Sequence, residues 1–168
     1  MIEIVRKLTE LEKRLKSLEA IEPSTKIVAS YTTNQAQSIS HNTETIVDFE
    51  DQVIDTHAAV TTGASWKFVA PSAGYYLVSV RLLFSATSNW LDGELGSIKL
   101  VCGSSHWYLD RKDNFPGSSL YMQLSGTWIV HAALSDEINV KVYQNTGSSL
   151  TIFNEATPGF TGIMIIKL

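Results

Sequence analysis

The chain has 168 residues, 44% of them hydrophobic, and a formal charge of −4. Outside the first two dozen residues it has no basic cluster, which argues against nucleic acid as a partner. No apolar run reaches the roughly 18 residues of a membrane span, and the N-terminus alternates charged and apolar residues where a signal peptide would be continuously apolar.

Residues 1–22 carry an apolar seam. Met1, Ile4, Leu8, Leu11, Leu15 and Leu18 follow one another at steps of three and four. This is a heptad, with Met1, Leu8 and Leu15 at a and Ile4, Leu11 and Leu18 at d. Lys7 and Arg14 at g precede Glu12 and Glu19 at e of the next heptad, opposite in sign, as a parallel coiled coil requires. Glu3 with Lys7, Glu10 with Arg14 and Glu12 with Lys16 add i, i+4 pairs with the acid first. A helix of about six turns is marginal alone, and one lying on its own domain would show a wider apolar face. Pro23 ends the helix, because the residue before a proline is pushed out of the α region. The expected layout is a coiled-coil stalk over 1–22, a linker over 23–30 and a β-head over 31–168. Leu at a with Leu or Ile at d lacks the dimer-favouring pattern and permits three strands.

Beyond Pro23 the chain reads as strand. In residues 75–85, Tyr76, Val78, Val80, Leu82 and Phe84 fall on one face, and Ser79, Arg81 and Ser85 on the other. Cys102 closes the run from Ser97 and reads as a buried strand thiol; a lone cysteine allows no internal disulfide framework. Leu120, Met122 and Leu124 alternate with polar neighbours, as do Ile138, Val140 and Val142. Turn signals separate these runs at 61–63, 71–74, 114–117, 145–147 and 158–159. Eight to ten short antiparallel strands are expected, in a sandwich or jelly roll. In the last strand both faces are apolar from Ile163 to Ile166, so it is expected to be covered on both sides. Either a neighbouring subunit or a thick core would cover it. Phe160, Ile163, Met164, Ile165 and Ile166 are therefore candidates for a trimer interface or a core strand.

Catalytic constellations are missing from the sequence. His41, His57, His106 and His131 are scattered, with no metal-ligating spacing and no nucleophile elbow. Aromatics in polar loops are the better lead. Trp90 and Asp92 in one loop, and Trp107 with Tyr108 in another, offer flat rings beside hydrogen-bonding groups, the combination a sugar or protein ligand needs. The same tryptophans would also serve to plug the sandwich ends. Trp66 and Trp128 read as core or interface residues.

Three segments resemble the complement C1q-like globular domain. Gly63 followed by Phe68-Val69-Ala70-Pro71-Ser72-Ala73-Gly74-Tyr75-Tyr76 is similar to its early signature. Leu134-Ser135-Asp136-Glu137-Ile138 is similar to its Leu-x-x-Gly-Asp-x-Val turn, and Phe160-Thr161-Gly162-Ile163 to its closing Phe-Ser/Thr-Gly-Phe. Order and approximate spacing match over residues 27–168. Ser135 stands at a usual glycine, Ile163 at a usual phenylalanine, and Ala64-Ser65-Trp66 lengthens a loop. A heptad segment replaces the collagen stem. The resemblance implies a ten-stranded jelly roll, a compact trimer akin to tumour-necrosis-factor ligands, and binding in place of catalysis. Members of that family often carry calcium near the apex, and Asp92, Glu94, Asp110 and Asp113 are the loop carboxylates here. Without the spacing of a dedicated calcium loop they read as solvated charges, and no cofactor or metal is expected.

These readings converge on a non-enzymatic homotrimeric virion protein: a phage spike, fibre, decoration or receptor-binding head. It would dock by its stalk on a virion or capsid protein and display its head to a host-surface receptor or glycan. The alternative is a secreted bacterial or animal C1q-like ligand or lectin, its signal and stem removed, acting outside the cell.

Overall fold

A computed structural model describes residues 26–84, 91, 93–113, 121–153 and 161–168, with Glu3, Arg6, Lys7 and 10–13 of the N-terminal segment. Those seven N-terminal positions are helical and exposed, and Lys7 Nζ lies 4.0 Å from Glu3 Oε1, the expected i, i+4 pair. Of the heptad seam, Leu11 is described and is 64% exposed. Met1, Ile4, Leu8, Leu15 and Leu18 lie outside the described residues, and with them the packing of the stalk.

The body is built from strands. In chain order the described segments are β1 (Val28–Thr32), β2 (Gln37–Ile39), β3 (Thr45–Ile46), β4 (Asp51–Asp55), β5 (Val60–Thr61), β6 (Lys67–Val69) and β7 (Gly74–Phe84). They continue with β8 (Leu95–Cys102), β9 (Ser105–Asp113), β10 (Met122–Ala132), β11 (Glu137–Gln144), β12 (Leu150–Ile152) and β13 (Gly162–Lys167). The count exceeds the expected eight to ten because β2, β3, β5, β6 and β12 are two or three residues long. Alternation over so few residues gives no periodic signal.

All pairings among these strands are antiparallel. One sheet runs β2-β12-β7-β13-β1-β4, with β10 along the other edge of β7; the second runs β5-β6-β11-β8-β9, with β3 also on β11. The last strand is central: β13 lies between β7 and β1, pairing Ile165 with both Val78 and Ala29. Between the sheets lies one continuous apolar cluster. Tyr76, Val78, Val80, Leu82 and Phe84 of β7 belong to it, as do Ile98, Leu100, Ile138, Val140 and Val142 of the second sheet. Phe68 and Tyr76 meet edge to face at 5.6 Å, the favoured aromatic geometry.

The three signature segments have structural reasons. Thr161 Oγ1 accepts the Leu83 N–H at 3.2 Å and donates to the Phe153 carbonyl at 3.2 Å, tying the start of β13 to the end of β7. A Cβ on Gly162 would stand 2.9 Å from the Tyr31 carbonyl oxygen, so β13 pairs with β1 at that point only through glycine. The inserted Ala64-Ser65-Trp66 loop turns inward. Trp66 is fully buried, its indole N–H donates to the Phe49 carbonyl at 3.0 Å, and the Phe49 and Tyr31 rings meet it edge-on at 5.2 and 6.2 Å.

Ser135 explains the glycine of the resembled motif. Its φ is +68°, in the left-handed region, between β10 and β11. The turn is held by the Ser135 N–H on the Ala70 carbonyl at 2.9 Å and the Ala133 N–H on Asp136 Oδ2 at 2.8 Å. A side chain there costs about 1–2 kcal/mol of local strain, partly offset by the larger unfolded-state entropy of glycine. Ser135→Gly is therefore expected to stabilise the domain by about 0.5–1 kcal/mol, read as a higher denaturation midpoint at constant slope.

Candidate functional site

The first sheet has an apolar face turned away from the core. Strand register places Val28, Ile166, Leu77 and Ile129 in one row across β1, β13, β7 and β10. Ile129 is 51% exposed and Leu77 half-buried, so the row is open on a single chain. Exposed Tyr75, Leu168 and Met164 extend it. Beside it, Ile54, Ser30, Met164, Ser79 and Thr127 form a second, more polar row, with Thr127 Oγ1 donating to Ser79 Oγ at 3.0 Å. A third, of Thr32, Gly162, Arg81 and Ser125, is polar throughout. The face thus grades from apolar to polar along the strands.

The two-sided apolar strand is divided by this geometry. Ile163 and Ile165 are buried in the core, whereas Met164 and Ile166 stand on the outer face. Phe160 lies outside the described residues. Trp128 is not a core residue: at the edge on β10 it is 46% exposed, beside an open hollow of about 390 Å³ lined by Leu77, Thr127 and Ile129. Among the described residues β10 pairs with β7 alone, and Trp128 on it is partly uncovered.

The second sheet presents a different surface. Lys141, Lys99 and Tyr108 lie side by side on β11, β8 and β9; Tyr143, Ser97 and Arg111 form the adjoining row. With Asn42 and Glu44 they line a cleft of about 280 Å³. The Glu44 carboxylate is shared, ion-paired with Lys99 and 3.9 Å from Lys141 Nζ. Arg111 Nη2 lies 3.7 Å from Asp113 Oδ2, both side chains being more than half exposed. The Tyr143 hydroxyl donates to Asn42 Oδ1 at 2.8 Å, and the Lys99 ammonium stands 5.9 Å from the centre of the Tyr108 ring.

Of the aromatic ligand candidates, Tyr108 is therefore part of this cleft. Trp107, its neighbour in sequence, points the opposite way and packs half-buried against the core, because successive strand residues alternate faces. Trp90 and Asp92 lie outside the described residues. Lys99, Lys141, Arg111 and Tyr143 carried no sequence signal as a group. Each sits on the polar phase of an alternating strand, but the register that assembles them is set by pairing across three strands.

The described carboxylates do not fit a calcium centre. Glu94 accepts the Leu91 N–H, Asp110 Oδ2 accepts the Ser125 N–H at 3.0 Å, and Asp113 faces Arg111. Each is engaged locally, and no three His, Cys, Asp or Glu side chains converge among the described residues. Cys102 is buried; burial, and secondarily the charge of Asp136, pushes its thiol pKa up, which disfavours the reactive thiolate.

Two packed antiparallel sheets with β13 in a central position make a jelly-roll fold like that of TNF and C1q domains. The fold is similar to that of Eiger TNF from S. frugiperda, with a TM-score of 0.61 at 15% identity over 86% of this chain and 93% of that one. Murine APRIL at pH 5.0 gives 0.55 at 16% identity, covering 85% of this chain and 99% of its own. The globular domain of the zebrafish complement 1qA protein gives 0.54 at 12%, covering 84% and 95%. At such identities the likeness is one of fold. No protein-family model matches the chain, and no curated protein matches its sequence.

Proposed function

We propose that the chain is a non-enzymatic, homotrimeric attachment protein of a virion. Residues 1–22 form a parallel stalk that docks on a virion or capsid protein, and the β-head faces the host surface. The observation that carries the self-association is the open row of Val28, Ile166, Leu77 and Ile129. An apolar sheet face of this kind is a liability on a free monomer and is covered most simply by further copies of the chain. The heptad seam, its g and e charges and the likeness to TNF and C1q domains favour three copies with their stalks parallel.

The virion reading rests on two features of the chain. A heptad segment stands where related folds are expected to carry other stems, and the single cysteine is buried, so durability comes from assembly without cross-links. Sequencing the genes on either side tests this directly. Capsid and tail genes beside it are the expected result; a secretion signal continuous with the reading frame would replace the virion reading with that of a secreted ligand.

A further inference from the structure

The cleft on the second sheet places like charges together. Lys141 and Lys99 are directly opposite one another on β11 and β8, an arrangement that destabilises an antiparallel pair. One carboxylate, Glu44, serves both. Arg111 completes a set of three cations, and its ion pair with Asp113 is an exposed one of the kind that contributes little. Three cations face two carboxylates, Glu44 and Asp113, leaving one positive charge in excess at the cleft on a chain whose formal charge is −4.

Its other features are those of a sugar site. Tyr108 and Tyr143 flank the cations on opposite corners, and Tyr108 is 62% exposed, leaving ring surface for stacking. Ser97, between Tyr143 and Arg111 in its row, is the small residue that makes room between two large ones. Asn42, at φ +54°, holds an uncommon backbone conformation at the rim and accepts from Tyr143. At about 280 Å³ the cleft suits one or two rings, smaller than sites for larger ligands. It lies across strands on a sheet face, not along an unpaired edge, so it suits a compact ligand better than an extended peptide.

We propose that this cleft binds a carboxylate-bearing pyranose, a sugar acid displayed on a surface glycan. The carboxylate lies toward Arg111 and the two lysines, and the pyranose face packs on Tyr108. The assignment rests on reading the head as a binding module, and the cleft lies on the sheet that does not carry the apolar row.

The test is a titration of the full chain, followed by NMR, with N-acetylneuraminic acid, glucuronic acid, glucose, inorganic phosphate and tetraglutamate. The sugar acids should bind at least about tenfold more tightly than glucose or phosphate and weaken with added salt. Arg111→Gln and Tyr108→Ala, both at exposed positions, should each weaken sugar-acid binding by about tenfold or more. Equal binding of glucose, equal or tighter binding of phosphate or tetraglutamate, or indifference to both substitutions would overturn the proposal. The oligomeric mass of each variant is measured alongside. A trimer that binds no sugar acid removes the cleft assignment and leaves the trimeric head intact; a monomer removes the latter by itself.

Discussion

Ile129→Asp is expected to leave each head folded and to weaken trimer association by about 100–1,000-fold. The side chain is half exposed on the single chain, so an aspartate there is hydrated in the free subunit. In the assembly it would be desolvated against the apolar row of Val28, Ile166 and Leu77 on a neighbouring face, at a cost of several kcal/mol for an unpaired carboxylate. Dilution followed by mass photometry reads the shift, and circular dichroism at the same concentrations checks the fold. A substituted protein that dissociates at the same concentration as the original would mean that this face is not where the copies meet.

Trp66→Ala is expected to be the most destabilising single substitution in the head. It removes a fully buried indole and its contacts with Phe49 and Tyr31, and leaves the Phe49 carbonyl without its donor. Truncation of a buried tryptophan costs about 3–5 kcal/mol, and the lost hydrogen bond puts the value toward the upper end. For a chain of this size that lowers the melting temperature by roughly 6–20 °C in calorimetry. A drop of a degree or two would mean that the inserted loop is an ornament on the fold. Trp66→Phe should recover part of the loss, because it restores ring volume and not the N–H.

Trp66 also marks the limit of what the sequence makes legible. Its loop departs from the resembled pattern, and nothing local indicates that the extra residues turn inward; the reason is the packing of the indole against Tyr31 and Phe49, residues well before it in sequence. Long strands were legible because alternation over Tyr76 to Phe84, or Ile138 to Val142, is a direct image of one buried face. That the last strand is apolar on both faces was legible too, but not which face meets the core: the structure puts Ile163 and Ile165 inside and Met164 and Ile166 outside. Its continuation into Val28, Leu77 and Ile129 was not, since those residues become a row only through register. The cleft follows the same logic. Tyr108 stood out as an aromatic in a polar stretch read as a loop, although with Trp107 it lies on strand β9, whereas Lys99, Lys141 and Arg111 are unremarkable lysines and arginine until three strands align them.

The proposed function divides the work between the two parts of the chain: the heptad segment would set direction and supply the attachment end, and the head would associate through its own sheet face. Sedimentation equilibrium of the chain lacking residues 1–22 tests this most directly. The account predicts a species of three times the monomer mass. A monomer would place the trimer's stability in the heptad seam and contradict the assignment of the Val28–Ile166–Leu77–Ile129 face.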